Sequence, residues 1–116
     1  MCNMKNKIIN IVKDFHAKPY GRYRNDAEGC EFTSGETFRQ DFLAPALRSF
    51  DTVTVDLSGY NRYGRSFLDE AFGGLIREEN FTSSELKEKL TYKHELVGRI
   101  IDVIDERIEA AIRDCE

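Results

Sequence analysis

Six residues, Thr52 to Leu57 (TVTVDL), alternate aliphatic with polar side chains and lie between two stretches of helical period. Val53, Val55 and Leu57 share one face of a strand, and Thr52, Thr54 and Asp56 share the other. A short strand bracketed by amphipathic helices is the unit of an α/β domain, in which those helices bury its apolar face. A helical bundle or a coiled coil is thereby excluded for the chain as a whole. Upstream, Phe38, Phe42, Leu43, Ala46 and Leu47 form a helical stripe. Its start is signalled by Ser34, or by Thr33 with Glu36 as a capping box. Pro45 predicts a kink near Asp41 or a separate final turn. Downstream, Ser66 as N-cap with Asp69 three residues on opens a second helix through Leu68, Phe72, Leu75 and Ile76. Gly73 and Gly74 each cost that helix about 1 kcal/mol, a cost that points to another backbone packed close.

The flanks complete an α/β order. Lys7 to Phe15 (KIINIVKDF) is rich in β-branched residues and predicts a strand with Ile9, Ile11 and Phe15 on one face. Pro19 and Gly21 mark a turn, and Arg22 to Arg24 predict a short second strand. Thr82 and Glu85 form a capping box, with Phe81 stapled onto Leu86. Leu90 to Lys93 fits a short edge strand. From 95 to 115 runs a long amphipathic helix whose stripe includes Val97, Ile101, Ile104, Ile108 and Ala111. The expected core is Ile9, Ile11, Phe38, Phe42, Val53, Val55, Leu68, Phe72, Leu75 and Ile101. The expectation is one domain over 1–116, a small α/β sandwich with helices covering a mixed sheet.

The 116 residues carry 17 basic against 21 acidic side chains, a net charge of -4. That balance argues against binding nucleic acid through phosphate neutralisation. Residues 94–116 hold seven acidic and three basic side chains, which favours a basic partner surface over an anionic membrane. Cys2, Cys30 and Cys115 are odd in number and widely spaced, so neither a disulfide framework nor a zinc site is indicated. No apolar run approaches spanning length and the start lacks a secretory h-region, so the expectation is a cytoplasmic protein. His16 and His94 stand apart from other ligands, and no nucleotide-binding glycine loop or nucleophile elbow occurs. No catalytic residue, metal or cofactor is expected.

Two groups of side chains carry binding chemistry. The loop Ser58 to Arg65 (SGYNRYGR) ends in Arg62, Arg65 and Ser66. There, free helix N–H groups and two guanidinium groups suit a phosphate or carboxylate; the alternative is that Ser66 only caps and the arginines are solvated. Arg22, Tyr23 and Arg24, with Tyr60 and Tyr63, form an aromatic and basic set suited to a protein contact. The long helix either covers the sheet, forms a homodimer seam or receives a partner helix.

The segments FTSGETFRQDFLAPAL, TVTVDLSGY and SFLDEAFGGLIRE, in that order, resemble the bacterial STAS-like domain family of unknown function. The flanks FHAKPYGRYRNDAEG and FTSSELKEKLTYK resemble it too, so the similarity runs from about Ile8 to Lys93. The resemblance implies the compact α/β arrangement of the anti-sigma-factor antagonists, whose wider group is mostly non-catalytic and binds a partner-switching kinase or sits beside a transporter or sensor. It implies a regulatory role in signalling beside a histidine-kinase-type ATPase. A serine that starts the helix after a central strand is phosphorylated in the antagonists, and Ser66 is the residue that matches that place. The approach YNRYGRSF is longer and more basic than the antagonists' Asp-Ser-Ser-Gly-like turn. The alternative function is a small-anion or nucleotide-binding domain using the loop and helix start at 58–66.

Overall fold

The computed structural model describes residues 5–115. Cys2, and with it part of the cysteine reading, lies outside the described residues. Three strands form one sheet in the order β1-β2-β3: β1 (Asn6–Asn10), β2 (Thr52–Asp56) and β3 (Leu90–Lys93). Both pairings are parallel, with Ile9 beside Val55 and Val53 beside Leu90. The expected mixed sheet is therefore corrected to a purely parallel one. The antiparallel partner would have been Arg22 to Arg24, which forms turns instead. Gly21, at φ 95°, bends the chain there, and the Asp26 carboxylate accepts from the N–H groups of Arg22 and Tyr23. The Gly21 and Arg22 carbonyls accept from Gly35 and Glu36, so this backbone is committed to a helix start rather than to a ladder.

β1 is shorter than its β-branched run predicts. Residues Ile11–Phe15 wind into a π turn closed by His16 N–H on the Ile11 carbonyl. Asn10 caps the turn by accepting from Lys13 N–H, and the Asp14 carboxylate accepts from Asn10 N–H. Two local side-chain bonds thus outcompete strand propensity. Ile11 is still buried, and Phe15 joins a ring cluster with Phe38 and Phe42 at centroid distances of 5.2 and 5.3 Å.

The helices are α1 (Cys30–Thr33), α2 (residues 35–49), α3 (residues 65–77), α4 (Ser83–Lys89) and α5 (Gly98–Cys115). Ser34 caps α2 by accepting from Thr37 N–H, whereas the Thr33 hydroxyl donates to the Tyr20 carbonyl and Glu36 accepts from Arg24 N–H. Ser34 alone is therefore the cap. Within α2, Arg39–Leu43 is π-wound immediately before Pro45. A wider turn removes the clash that a proline imposes on the preceding turn, at the place where a kink was expected. The Thr82–Glu85 capping box of α4 is complete, with both reciprocal bonds present. Replacing Thr82 with alanine is expected to lower stability by about 1 kcal/mol in urea denaturation. α5 begins three residues later than expected. The His94 ring accepts from Leu96 and Val97 N–H groups and binds the Tyr60 carbonyl, which holds 94–97 as a loop.

The chain steps the same way twice across the sheet, so right-handed connections place the helices of both crossovers on one face. That face carries Ile9, Val53, Val55 and Leu90, all buried. Ile8, Thr54 and Thr91 lie on the other, where Ile8 is 65% exposed. Of the expected core, eight residues are buried, while Phe42 and Ile101 are half-buried at its margin. α5 packs on α3 and β3 within its own domain, burying Ile100, Ile104 and Ala111. Gly73 permits this: a Cβ there would lie 3.2 Å from the Arg107 carbonyl oxygen.

Candidate functional site

α3 is where the unusual chemistry collects. Its middle, Asp69–Gly73, is a second helix-embedded π turn, and all five residues are buried, two consecutive carboxylates among them. Arg22 reaches Asp69 at 2.6 Å, and Arg77 and Arg107 approach the same carboxylate at 3.1 and 3.6 Å. Beside it, Arg39, only 2% exposed, pairs with Glu70 at 2.5 Å and Glu79 at 3.0 Å, and Arg48 closes on Glu79 at 2.8 Å. Gly74 is the seat of the Arg39 guanidinium, since a Cβ there would lie 2.3 Å from Nη1. The two glycines thus have different reasons. Gly73 admits a backbone, as the sequence predicts, and Gly74 admits a buried arginine, which it does not.

Asp69 was expected to be a helix-capping carboxylate and is instead the centre of this network. Burial pushes its pKa up, but hydrogen bonds from Arg22 and Arg77 outweigh burial and hold it below the ordinary 3.8. Glu79 behaves alike: burial raises it, and Arg48 and Arg39 bring it below 4.5. Folded-state values below unfolded ones mean that this stabilisation is complete above the unfolded values and drains as pH falls through them. Thermal midpoints are expected to be level above about pH 5.5 and to fall below about pH 4.5. An Asp69→Asn variant should start lower and show a shallower acid limb.

One of these arginines, Arg22, also lines an opening at the start of α3. Arg22, Arg62, Arg65 and Ser66 line one cavity of about 360 Å³ together with Tyr20 and Asp26. Arg65 is braced by Glu106 of α5 at 2.9 Å, and Arg22 is anchored inward on Asp69. Counting Arg65, six arginines meet four carboxylates in the connected network, Glu106 pairing with both Arg65 and Arg107. Ser66 is exposed in the first turn but is not the N-cap. Gly64 holds that position with no side-chain bond, and Leu68 N–H closes onto the Gly64 carbonyl. The Ser66 hydroxyl is therefore free of the capping role that its spacing predicts. Ser66→Ala is expected to change stability by less than about 0.5 kcal/mol, measured in urea.

The other expected contact residues disperse. Arg24 turns to α2, bonding Gln40 at 2.9 Å and Asp41 at 3.1 Å. Tyr23 is exposed beside the Arg22 guanidinium, 6.0 Å from its ring centroid. Tyr63 is buried and donates to the Leu57 carbonyl, which takes it off the contact surface and makes it a strut for the loop. Burial pushes its hydroxyl pKa well above the usual tyrosine value, with Asp56 and Tyr60 adding to the shift. Tyr60 packs edge-on against Tyr63 at 5.2 Å. At the C-terminal end of the sheet Asp56, Ser58, Lys93, His94 and Glu95 line a second cavity of about 360 Å³. Among the described residues, no group of three or more His, Cys, Asp or Glu side chains is placed to hold a metal ion.

Residues 34–97, more than half of the chain, match the family described as STAS-like domain of unknown function (DUF4325). The chain belongs to that family. The match spans α2, β2, α3, α4 and β3 and so contains Arg39, Asp69, Glu70, Glu79 and Ser66. The loop bearing Arg22 and the helix α5 bearing Glu106 and Arg107 fall outside the matched residues of this STAS-like domain. No curated protein sequence and no solved structure matches the chain. Among the described residues, no helix of the STAS-like domain is long and apolar enough to cross a membrane.

Proposed function

We infer that this STAS-like domain is a non-catalytic regulatory module that docks on a histidine-kinase-type ATPase through the arginine-rimmed cavity at the start of α3. One observation carries the reading: Ser66 is exposed beside Arg22, Arg62 and Arg65, in the first turn of the helix that follows the central strand. That is the place of the regulated serine in the anti-sigma-factor antagonists, whose sandwich arrangement the domain resembles. A phosphate on Ser66 would add about -1.5 to -2 charges within an arginine cluster, neutralising the rim and reversing its sign locally. Because Ser66 caps nothing, the helix would tolerate the change while the contact surface altered.

The same cavity also supports the small-anion reading, in which Arg62 and Arg65 clamp a free phosphate or a nucleotide. The two are separated by titrating the purified domain against a histidine-kinase-type ATPase encoded in its gene neighbourhood, and separately against inorganic phosphate and ATP. The docking reading expects saturable protein binding. It also expects the Arg62→Ala/Arg65→Ala double variant to bind about tenfold more weakly, with Ser66→Asp weakened as well. Absence of such an ATPase, or equal affinities for all variants, sinks it. Binding of phosphate or ATP by the free domain, lost in the double variant, would favour the anion reading.

A further inference from the structure

We propose that Arg22 is a shared cation: its guanidinium is the third ligand of a phosphoryl dianion in the cavity at the start of α3, in competition with the buried Asp69. This rests on the anion chemistry read for that cavity, whether the dianion is a phosphate on Ser66 or a free phosphate. Of the arginines that hold Asp69 and Glu70, Arg22 alone lines the cavity. Its side chain is 29% exposed, against 2% for Arg39. Arg22 bonds inward through Nη1 alone, to Asp69 at 2.6 Å and Glu70 at 3.5 Å. Among the described residues its Nε and Nη2 make no hydrogen bond, and Arg107 Nε is the one side-chain nitrogen or oxygen buried without a partner. The two unspent nitrogens of Arg22 are therefore open to solvent. A guanidinium offers such a pair as a fork to two phosphoryl oxygens.

Charge favours the sharing. Asp69 keeps Arg77 and Arg107, and Glu70 keeps Arg39 and Arg77, so neither carboxylate is stranded when Arg22 turns part of its charge outward. In the cavity the supply is shorter, because Arg65 already shares its charge with Glu106. A dianion held by Arg62 and Arg65 alone is left incompletely neutralised, and Arg22 supplies the difference. Asp26 does not compete for the guanidinium, since its carboxylate accepts from the backbone N–H groups of Arg22 and Tyr23. Asp69 does compete: it and the dianion are like charges on one guanidinium, and each weakens the hold of the other. Glu70, at 3.5 Å, keeps Arg22 oriented when the charge of Asp69 is removed.

Inorganic phosphate at neutral pH probes the free anion, and protein phosphorylated at Ser66 probes the tethered one. In isotope-labelled protein the Arg22 Nε–H resonance is assigned by its loss in Arg22→Gln. It is expected to move on adding phosphate if the anion is free, and to stand displaced only in the Ser66-phosphorylated protein if it is tethered. For the free anion, calorimetry should show Arg22→Gln binding phosphate about tenfold more weakly than wild type and Asp69→Asn about tenfold more tightly. The double variant should gain less than about threefold over Arg22→Gln. For the tethered anion, the same tenfold factor is a fall of about one unit in the second pKa of the Ser66 phosphate in Asp69→Asn, read by phosphorus NMR. An Asp69 that merely supports the fold would leave the site equal or weaker in Asp69→Asn, and that result overturns the proposal. An Arg22 resonance that stays put in both arms overturns it on wild-type sequence alone, whatever Asp69→Asn does to folding. Phosphate binding with Arg22 unmoved leaves the anion reading standing. No response from either source removes that reading as well, and leaves protein docking to the ATPase titration.

Discussion

Truncating Phe72 to alanine is expected to remove about 3–5 kcal/mol of stability, read by urea denaturation at neutral pH. Its ring is fully buried in the π turn of α3 and packs against Tyr92 of β3 at 5.6 Å. The turn that carries it also packs against α5, so α3, the sheet and α5 meet around this segment. Asp69 and Glu70, held by their arginines, fix that turn from the other side, so the cavity has little freedom to collapse. Domains of this size have about 5–15 kcal/mol in total. The variant should accordingly be partly unfolded at moderate temperature, with a midpoint lower by about 4 °C or more for each kcal/mol lost. Phe32→Ala is the matched control, because Phe32 is exposed, and should shift stability by less than about 0.5 kcal/mol. A Phe72→Ala loss below about 1 kcal/mol would mean that α3 does not carry the core.

The parts legible in the sequence are those in which one local signal faced no competitor. β2 reads out because its period of two coincides with one buried and one open face. α4 reads out because Thr82, Glu85 and Phe81 supply three independent start signals. β1 is misread past Asn10 because the β-branched Ile11 and Val12 hide two short-range polar bonds that end the strand. The start of α3 is misread because S-x-x-D fits a capping box on spacing alone, while Asp69 is drawn away by arginines 47 and 8 residues distant. For the cavity, Arg62, Arg65 and Ser66 are legible as neighbours, and Arg22 joins them only through the long-range bond to Asp69. The Arg39 network is hidden for a related reason. A charged side chain beside an apolar stripe reads as solvated unless its buried partner is known, and its one local trace is the glycine at 74, which opens the space it fills.

That network sets the second large expectation. Arg39→Met should cost about 3–5 kcal/mol at neutral pH, because it leaves Glu70 buried without its closest cation and removes one of the two arginines on Glu79. The loss should far exceed that of Arg48→Met, whose side chain is half exposed and whose removal leaves Arg39 in place on Glu79. Methionine approximates the aliphatic length of arginine, so a cavity is not the main term; Glu70 keeps Arg22 at 3.5 Å and Arg77 at 3.8 Å, and the cost reports the loss of its closest cation. The double variant Arg39→Met/Glu70→Gln removes the charge together with its partner and should recover a substantial part of the loss, about 1–3 kcal/mol of coupling in a double-mutant cycle. If the double variant is as unstable as the sum of its parts, Arg39 acts by packing over Gly74 rather than by neutralising Glu70. Recovery would instead assign the π turns of α2 and α3 a common purpose. Each turns a charged residue inward, Arg39 from one helix and Asp69 and Glu70 from the other. Their pairing fixes the two helices against each other, and through Arg22 it anchors the loop that completes the cavity at the start of α3.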